Sequence, residues 1–364
     1  MRRARGMKLL AATGVALVAL GLAACGGKSV TPGGGASGGT KTKIGMAYDI
    51  GGRGDKSFND AAAAGLDKIK SEYSGKVDVK ELEANRDESE ADKYARLKLL
   101  CTEGYNPVIA VGFIYAGTDP ANGPMAKASK DCPNTKFAII DDASATAANI
   151  ANLVFAEEQG SFLVGAAAAL KSQTGQVGFV GGCTVPLIQK FEAGYKAGVE
   201  QVNKDENKKV TVNTKYLSTP ADKCSGFNDP AKGKTTAEGQ YDAGADVVYQ
   251  AAGGSGTGVF QAATAKKKMA IGVDSDQYNT VDAALRDVII TSMLKRVDTA
   301  VHSFLKDYID SSKFTAGTTT FDLKADGVGY STSGGKIDDI KSKLDAYKDK
   351  IISGSITVPT KPAS

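Results

Sequence analysis

The chain has no tryptophan and one histidine, His302. A single imidazole argues against a histidine-based metal centre and against a histidine-dependent triad. Also missing are a G-x-S-x-G elbow between a strand and a helix (Gly35–Gly39 has the spacing but lies in the Gly- and Ser-rich stretch), an H-E-x-x-H motif and any C-x-x-C pair. Two near matches fail on particular residues. The run from Asn228 to Thr235 (NDPAKGKT) would be a P-loop if position 228 were glycine, and Pro230 stiffens a segment that must curl round phosphate. Gly254, Gly256 and Gly258 follow a strand-like run, but Phe260 and Gln261 deny a dinucleotide fingerprint its last glycine. Glycines there still let backbone N–H groups approach a ligand closely. No cofactor and no metal are implied, and nothing singles out a catalytic carboxylate pair. The chain reads as a non-enzyme.

The excess of positive charge is also lost on closer reading. The 45 basic and 41 acidic residues give a net charge of +4. Arg2, Arg3, Arg5 and Lys8 precede the apolar run Leu9–Leu22, which is short for a membrane span and typical of an export signal. It ends in Leu22-Ala23-Ala24-Cys25-Gly26, which resembles a bacterial lipobox, where cleavage leaves a lipidated N-terminal cysteine. Removing residues 1–24 removes those four basic residues and no acidic one, leaving 41 against 41. The basic balance is therefore no evidence for a nucleic-acid partner. Residues 25–42, lipidated Cys25 followed by a Gly-, Ser- and Thr-rich run, read as a flexible tether. Beyond Cys25 stand Cys101, Cys132, Cys183 and Cys224. An even number in an exported chain favours two disulfides, with three pairings open, of which Cys101–Cys132 and Cys183–Cys224 keep each bridge local.

What is present is a rhythm of short β-rich runs and helical patterns about thirty residues apart. Strands are predicted at Lys43–Tyr48, Val77–Leu82, Pro107–Phe113, Lys136–Asp141, Gln176–Gly181, Lys209–Leu217, Ala245–Gln250, Met269–Asp274 and Val288–Ser292. Helices are predicted at Asn59–Tyr73, Ser89–Cys101, Glu158–Lys171, Pro186–Asn203, Ala231–Ala243 and Thr257–Lys267. Apolar, unalternating strands between helices mean parallel sheets covered on both faces, and the length fits two of them. Ligands then lie beyond the carboxyl ends of the strands. Asp49, Asp141, the Gly253-Gly254 turn, Asp274 and Lys295 all fall at such ends. After the first strand, Ser57-Phe58-Asn59-Asp60 forms an S-x-x-D capping pattern before an alanine-rich helix. A helix N-terminus offers unpaired N–H groups to a polar ligand. Phe58 in that turn has little to pack on within its own helix, so it either joins the core or stacks on something else.

The motifs DKSFND, FAIID, EEQGSFLVG, VGFVGG, FEAGYKAGV, GADVVYQAAGGSGTGV, IGVDSDQ and TSMLKRVDTAV stand in this order. With them the chain resembles the basic membrane protein family, bacterial lipoproteins that serve as nucleoside-binding components of ABC importers. The resemblance runs from about Lys43 to Tyr330. It implies an α/β type I periplasmic-binding-protein fold of two Rossmann-like lobes, hinged by three crossovers and closing on the ligand. It also implies a base held between Phe58 and Phe227, with Asn59, Asp141, Gly254, Asp274 and Lys295 around it and Asp49 as a weaker member. Cys183, in VGGCTVP, departs from what the resemblance leads one to expect; it supports a local disulfide and says little about ligand.

The expected organisation is a signal peptide (1–24), a tether (25–42), an N-terminal lobe (43–153 with 275–312), a C-terminal lobe (154–274 with 313–352) and a tail (353–364). The expected function is capture of nucleosides, purine-leaning, by a monomer anchored through Cys25 on the extracytoplasmic face of the membrane, and delivery to a permease. The alternatives are a sugar or other small polar metabolite in the same fold, a surface nucleoside hydrolase, and an adhesin or sensor.

Overall fold

The computed structural model describes residues 41–85 and 87–363. The export signal, Cys25 and nearly all of the tether lie outside the described residues. The chain begins with β1 (Thr42–Ala47), α1 (Phe58–Glu72), β2 (Val77–Leu82), α2 (Glu90–Thr102), β3 (Val108–Ala110), α3 (Pro124–Asp131), β4 (Phe137–Ile140) and β5 (Ile150–Phe155). It continues with α4 (Glu157–Lys171), β6 (Gln176–Gly181), α5 (Pro186–Glu206), β7 (Thr211–Tyr216), α6 (Pro230–Asp242), β8 (Val247–Ala251), α7 (Gly256–Lys266) and β9 (Met269–Asp274). Two short helices, α8 (Gln277–Thr280) and α9 (Ala283–Arg286), lead to β10 (Ile289–Lys295). The last elements are α10 (Val297–Ser311), β11 (Gly317–Phe321), β12 (Val328–Tyr330) and α11 (Lys341–Ile352).

Two six-stranded sheets result, ordered β11-β5-β4-β3-β1-β2 and β12-β10-β9-β8-β6-β7. The first is parallel throughout and the second is parallel except for β12. The central strands β3, β4 and β8 are buried at every residue, as strands covered on both faces must be. In the second lobe, α4 is buried along most of its length because α5 lies unusually close. A Cβ on Gly165, Gly194 or Gly198 would meet the facing backbone carbonyl at 2.2, 2.1 or 2.0 Å, so these positions require glycine. Each lobe carries one bridge, Cys101–Cys132 in the first and Cys183–Cys224 in the second.

The lobe boundaries differ from those expected. The chain leaves the first sheet after Phe155, returns from the second after Lys295, and leaves again after Phe321. Residues 275–295 thus belong to the second lobe, because β10 extends β9 in parallel register. Residues 313–321 belong to the first, because β11 pairs with β5. Both errors come from pairings between segments far apart in sequence. Strand β5 was not predicted: Asn149 and Asn152 punctuate it like a loop. In the fold, the Asn152 side chain is fully buried and donates to the Asp142 and Ala145 carbonyls.

Candidate functional site

The carboxyl ends of both sheets face one cavity of about 520 Å³ of atom-free space, part of it open at the mouth. Of the residues expected to form the site, Asp49, Phe58, Asn59, Asp141, Phe227, Asp274 and Lys295 line it, together with Asp55, Phe113, Phe191 and Gly253. Gly254 does not. A Cβ added to it would meet the Asn228 side chain at 3.4 Å and the Phe227 carbonyl at 3.5 Å, and the turn presents Gly253 to the cavity instead. The glycines after it serve packing: a Cβ on Gly258 would meet the Pro230 carbonyl at 1.9 Å, and one on Gly256 would meet Gln250.

Asp141 and Asp274 hold equivalent places, at the ends of β4 and β9, the third strands in from the β11 and β12 edges of the two sheets. Both have left-handed backbones, φ 68° and 62°, which a non-glycine residue adopts at some cost and mostly where the surroundings over-determine it. Between them lies Lys295, 2% exposed. Its Nζ is 2.5 Å from Asp141 Oδ2 and 3.2 Å from Glu157 Oε1, and it sits over the rings of Phe58, Phe155 and Phe191 at 5.0, 5.2 and 5.5 Å. Burial alone would lower the lysine pKa, but Asp141, Glu157 and Asp274 outweigh it and hold the ammonium well above its ordinary range. Burial pushes Asp141 up to about 7 against the pull of that ammonium, and raises Asp274 as well. Asp141 Oδ1 is buried without a hydrogen-bond partner within the protein.

The turn before α1 is built differently from the expectation. Ser57 is the N-cap residue, yet its side chain makes no capping bond. The cap is Asp55, whose carboxylate accepts from the backbone N–H groups of Ser57, Asn59 and Asp60 at 2.9, 2.8 and 3.1 Å. Those N–H groups are therefore spent within the protein and do not form the floor of a ligand site. Burial still pushes Asp55 up to about 6. Ser57 Oγ instead crosses the cleft to donate to Asp274 Oδ2 at 2.6 Å. The Asn59 amide is also engaged: its oxygen accepts from Asp49 N–H, and its nitrogen donates to the Ile50 carbonyl and to Asp55. Asn59 thereby fixes Asp49, whose carboxyl lies beside Gly112 and is pushed up to about 7 by burial.

Four phenylalanines line the cavity, Phe58 and Phe113 from the first lobe and Phe191 and Phe227 from the second. Phe113 and Phe227 meet edge to face across the cleft at 6.4 Å between centroids. The sequence reading missed Phe113, although it ends a predicted strand, and Phe191, which lies inside a helix where a ring reads as core. It also missed Glu157, a fully buried carboxylate directly after β5.

The family described as "ABC transporter substrate-binding protein PnrA-like" matches residues 41–362. The chain is 34% identical over 338 residues to the "CD4+ T-cell-stimulating antigen" of Listeria monocytogenes, covering 88% of each. It is 32% identical to the "ABC transporter nucleoside-binding protein BmpA" of Lactococcus lactis, covering 97% of this chain and 99% of that one. Among solved structures, an ABC transporter solute-binding protein of Aeropyrum pernix superposes with a TM-score of 0.74 at 30% identity, covering 88% of this chain and 94% of that one. The two α/β lobes are the type I periplasmic-binding fold, and the family is one of substrate-binding proteins, not of enzymes. The chain belongs to the Bmp family of PnrA-like ABC transporter substrate-binding proteins.

Proposed function

We propose that the protein binds nucleosides, with purine nucleosides preferred, and passes them to the permease of an ABC importer. The observation that carries this reading is the composition of the cleft: phenylalanines from both lobes beside a buried carboxylate–lysine cluster. A flat base fits between rings brought from opposite lobes, and stacking is worth about 1–3 kcal/mol per base. The ribose hydroxyls are donors that suit Asp274 and the unpartnered Asp141 Oδ1, and Lys295 can donate to a hydroxyl oxygen. Asp49, Asp55, Asp141 and Asp274 face the cavity with Lys295 as their counter-charge, a balance that disfavours a phosphate group. The name of the Lactococcus relative points the same way.

The exported, lipid-anchored state follows from the sequence around Cys25, and the two disulfides suit an oxidising compartment. Among the described residues no helix is long and apolar enough to cross a membrane, so Cys25 would supply the attachment of a monomer to the outer face. Mass spectrometry of ligand released from gently purified protein tests the reading directly; a sugar in place of a nucleoside would overturn it. Phe58→Ala should then weaken nucleoside binding at least tenfold in calorimetric titration while leaving the unfolding transition nearly unchanged. Loss of stability with unchanged affinity would make Phe58 a core residue.

A further inference from the structure

Phe227 is carried by an irregular segment, the turn Ser225–Asn228 between Ser218 and the start of α6, as Phe113 is by the turn after β3. Its ring packs against Gly182, where an added Cβ would meet ring carbons at 2.4 and 2.5 Å. The next residue, Cys183, is fully buried and bridged to Cys224, three residues before Phe227. The ring contact and the covalent bridge therefore join the same two short segments, 182–183 and 224–227. Around them, Ser218 Oγ donates to the Gly182 carbonyl and accepts from Gly226 N–H, while Ser255 Oγ donates to the Gly226 carbonyl and accepts from Asp229 N–H. These bonds hold the base of the turn. Cys224 has a left-handed backbone, φ 54°, which aims the following residues back over Gly182.

We propose that the Cys183–Cys224 bridge is a positioning device for ligand binding: it fixes the Phe227 ring over the cleft before ligand arrives. An aromatic jaw on a loop would otherwise have to be ordered at the moment of binding, at the expense of affinity. The other bridge makes an internal control. Cys101–Cys132 ties the ends of α2 and α3 in the other lobe, and neither cysteine lines the cavity. Stacking on a nucleoside is taken from the reading above, so the affinity arm of the test rests on that reading and the exchange arm does not.

The experiment compares the full chain with Cys183→Ala/Cys224→Ala and with Cys101→Ala/Cys132→Ala. Amide hydrogen exchange without ligand should quicken at least tenfold across residues 218–229 in the first variant, with the rest of the second lobe still protected. Inosine and guanosine should bind that variant about tenfold more weakly and the second variant as well as wild type. In the background of Phe227→Ala, removing the bridge should cost little further affinity, since both changes act through one ring. Unchanged exchange at 218–229 overturns the proposal whatever the ligand proves to be. Equal loss of affinity with and without the Phe227 ring overturns it too. Wild-type protein that binds neither nucleoside would sink the nucleoside reading and leave the exchange result to decide the bridge. If the alanine pair does not fold, Cys183→Ser/Cys224→Ser and the wild-type chain treated with a dithiol carry the same exchange measurement.

Discussion

Ser57-x-x-Asp60 and Ser89-x-x-Asp92 are the same pattern at two helix starts, and the fold uses them differently. Ser89 and Asp92 form a reciprocal capping box on α2. Ser57 gives up that role to Asp55 and reaches across the cleft to Asp274. Nothing in the two motifs distinguishes them, and each serine has an aspartate two residues upstream, Asp55 and Asp87; the difference lies in a partner 217 residues away. Asp49 shows what burial adds. Its ordinary pKa of 3.8 rises to about 7 because the carboxyl is taken out of water. The folded chain therefore keeps a proton there that the unfolded chain releases near pH 4. Stability contributed by this group falls as pH rises from about 4 to 7 and is level above, by an amount on the order of 2–4 kcal/mol. Asp49→Asn, measured by urea unfolding at pH 5 and pH 8, should narrow the gap between the two by raising stability at pH 8. An unaltered gap would show that Asp49 is not the titrating group.

The cluster around Lys295 belongs to the elements that carry the chain between lobes. Lys295 is the last residue of β10, immediately before the second crossing, and Glu157 opens α4, immediately after the first. Glu157 also accepts from Lys190 of α5 at 3.1 Å, so the buried charges knit strand, helix and crossing together. Removing the ammonium strands Asp141 without a counter-charge and leaves Glu157 with Lys190 alone. Lys295→Met should cost about 3–5 kcal/mol at pH 7 in urea titration, with a smaller loss near pH 5 as Asp141 takes up a proton. A cost under 1 kcal/mol at both pH values would mean that the cluster is solvated and weak. The strand-end rule made Asp141, Asp274 and Lys295 legible in sequence, because a parallel strand delivers its last residue to the crevice whatever the fold's details. Glu157 was hidden by a strand that asparagines made look like a loop. Phe191 was hidden inside an amphipathic helix, where one core-facing ring reads like any other. The edge strands β11 and β12 were beyond reach for another reason: their pairing is set by the return of the chain, not by local pattern.

For the whole molecule, the proposed binding reaction is a change in how the lobes meet, and hydrogen bonds join the lobes beside the Lys295–Asp141 ion pair. Besides Ser57 to Asp274, Ser275 Oγ donates to the Ser57 carbonyl at 3.0 Å, Gln277 Nε2 to the Lys56 carbonyl at 2.8 Å, and Lys223 Nζ to the Asp87 carbonyl at 2.8 Å. The bonds of Ser57 and Lys56 join the turn before α1 to the end of β9 and to α8, and Lys223 joins the segment before α6 to the loop before α2. Ser275 and Lys223 are not among the residues that line the cavity at the carboxyl ends of the sheets, although Lys223 faces an adjoining larger opening that shares Phe113 and Asp141 with it. Hydrogen bonds of this kind contribute about 0.5–1.5 kcal/mol each, which is the scale on which hinged lobes are balanced. If closure is the binding step, apparent affinity scales with the fraction of protein able to close. Ser275→Ala with Lys223→Ala should therefore weaken nucleoside binding roughly threefold to tenfold through faster dissociation, with association little changed. Small-angle scattering of the ligand-free variant should give a larger radius of gyration than wild type, and saturating ligand should bring the two together. Equal radii with unchanged dissociation would place the control of closure in the three crossings themselves.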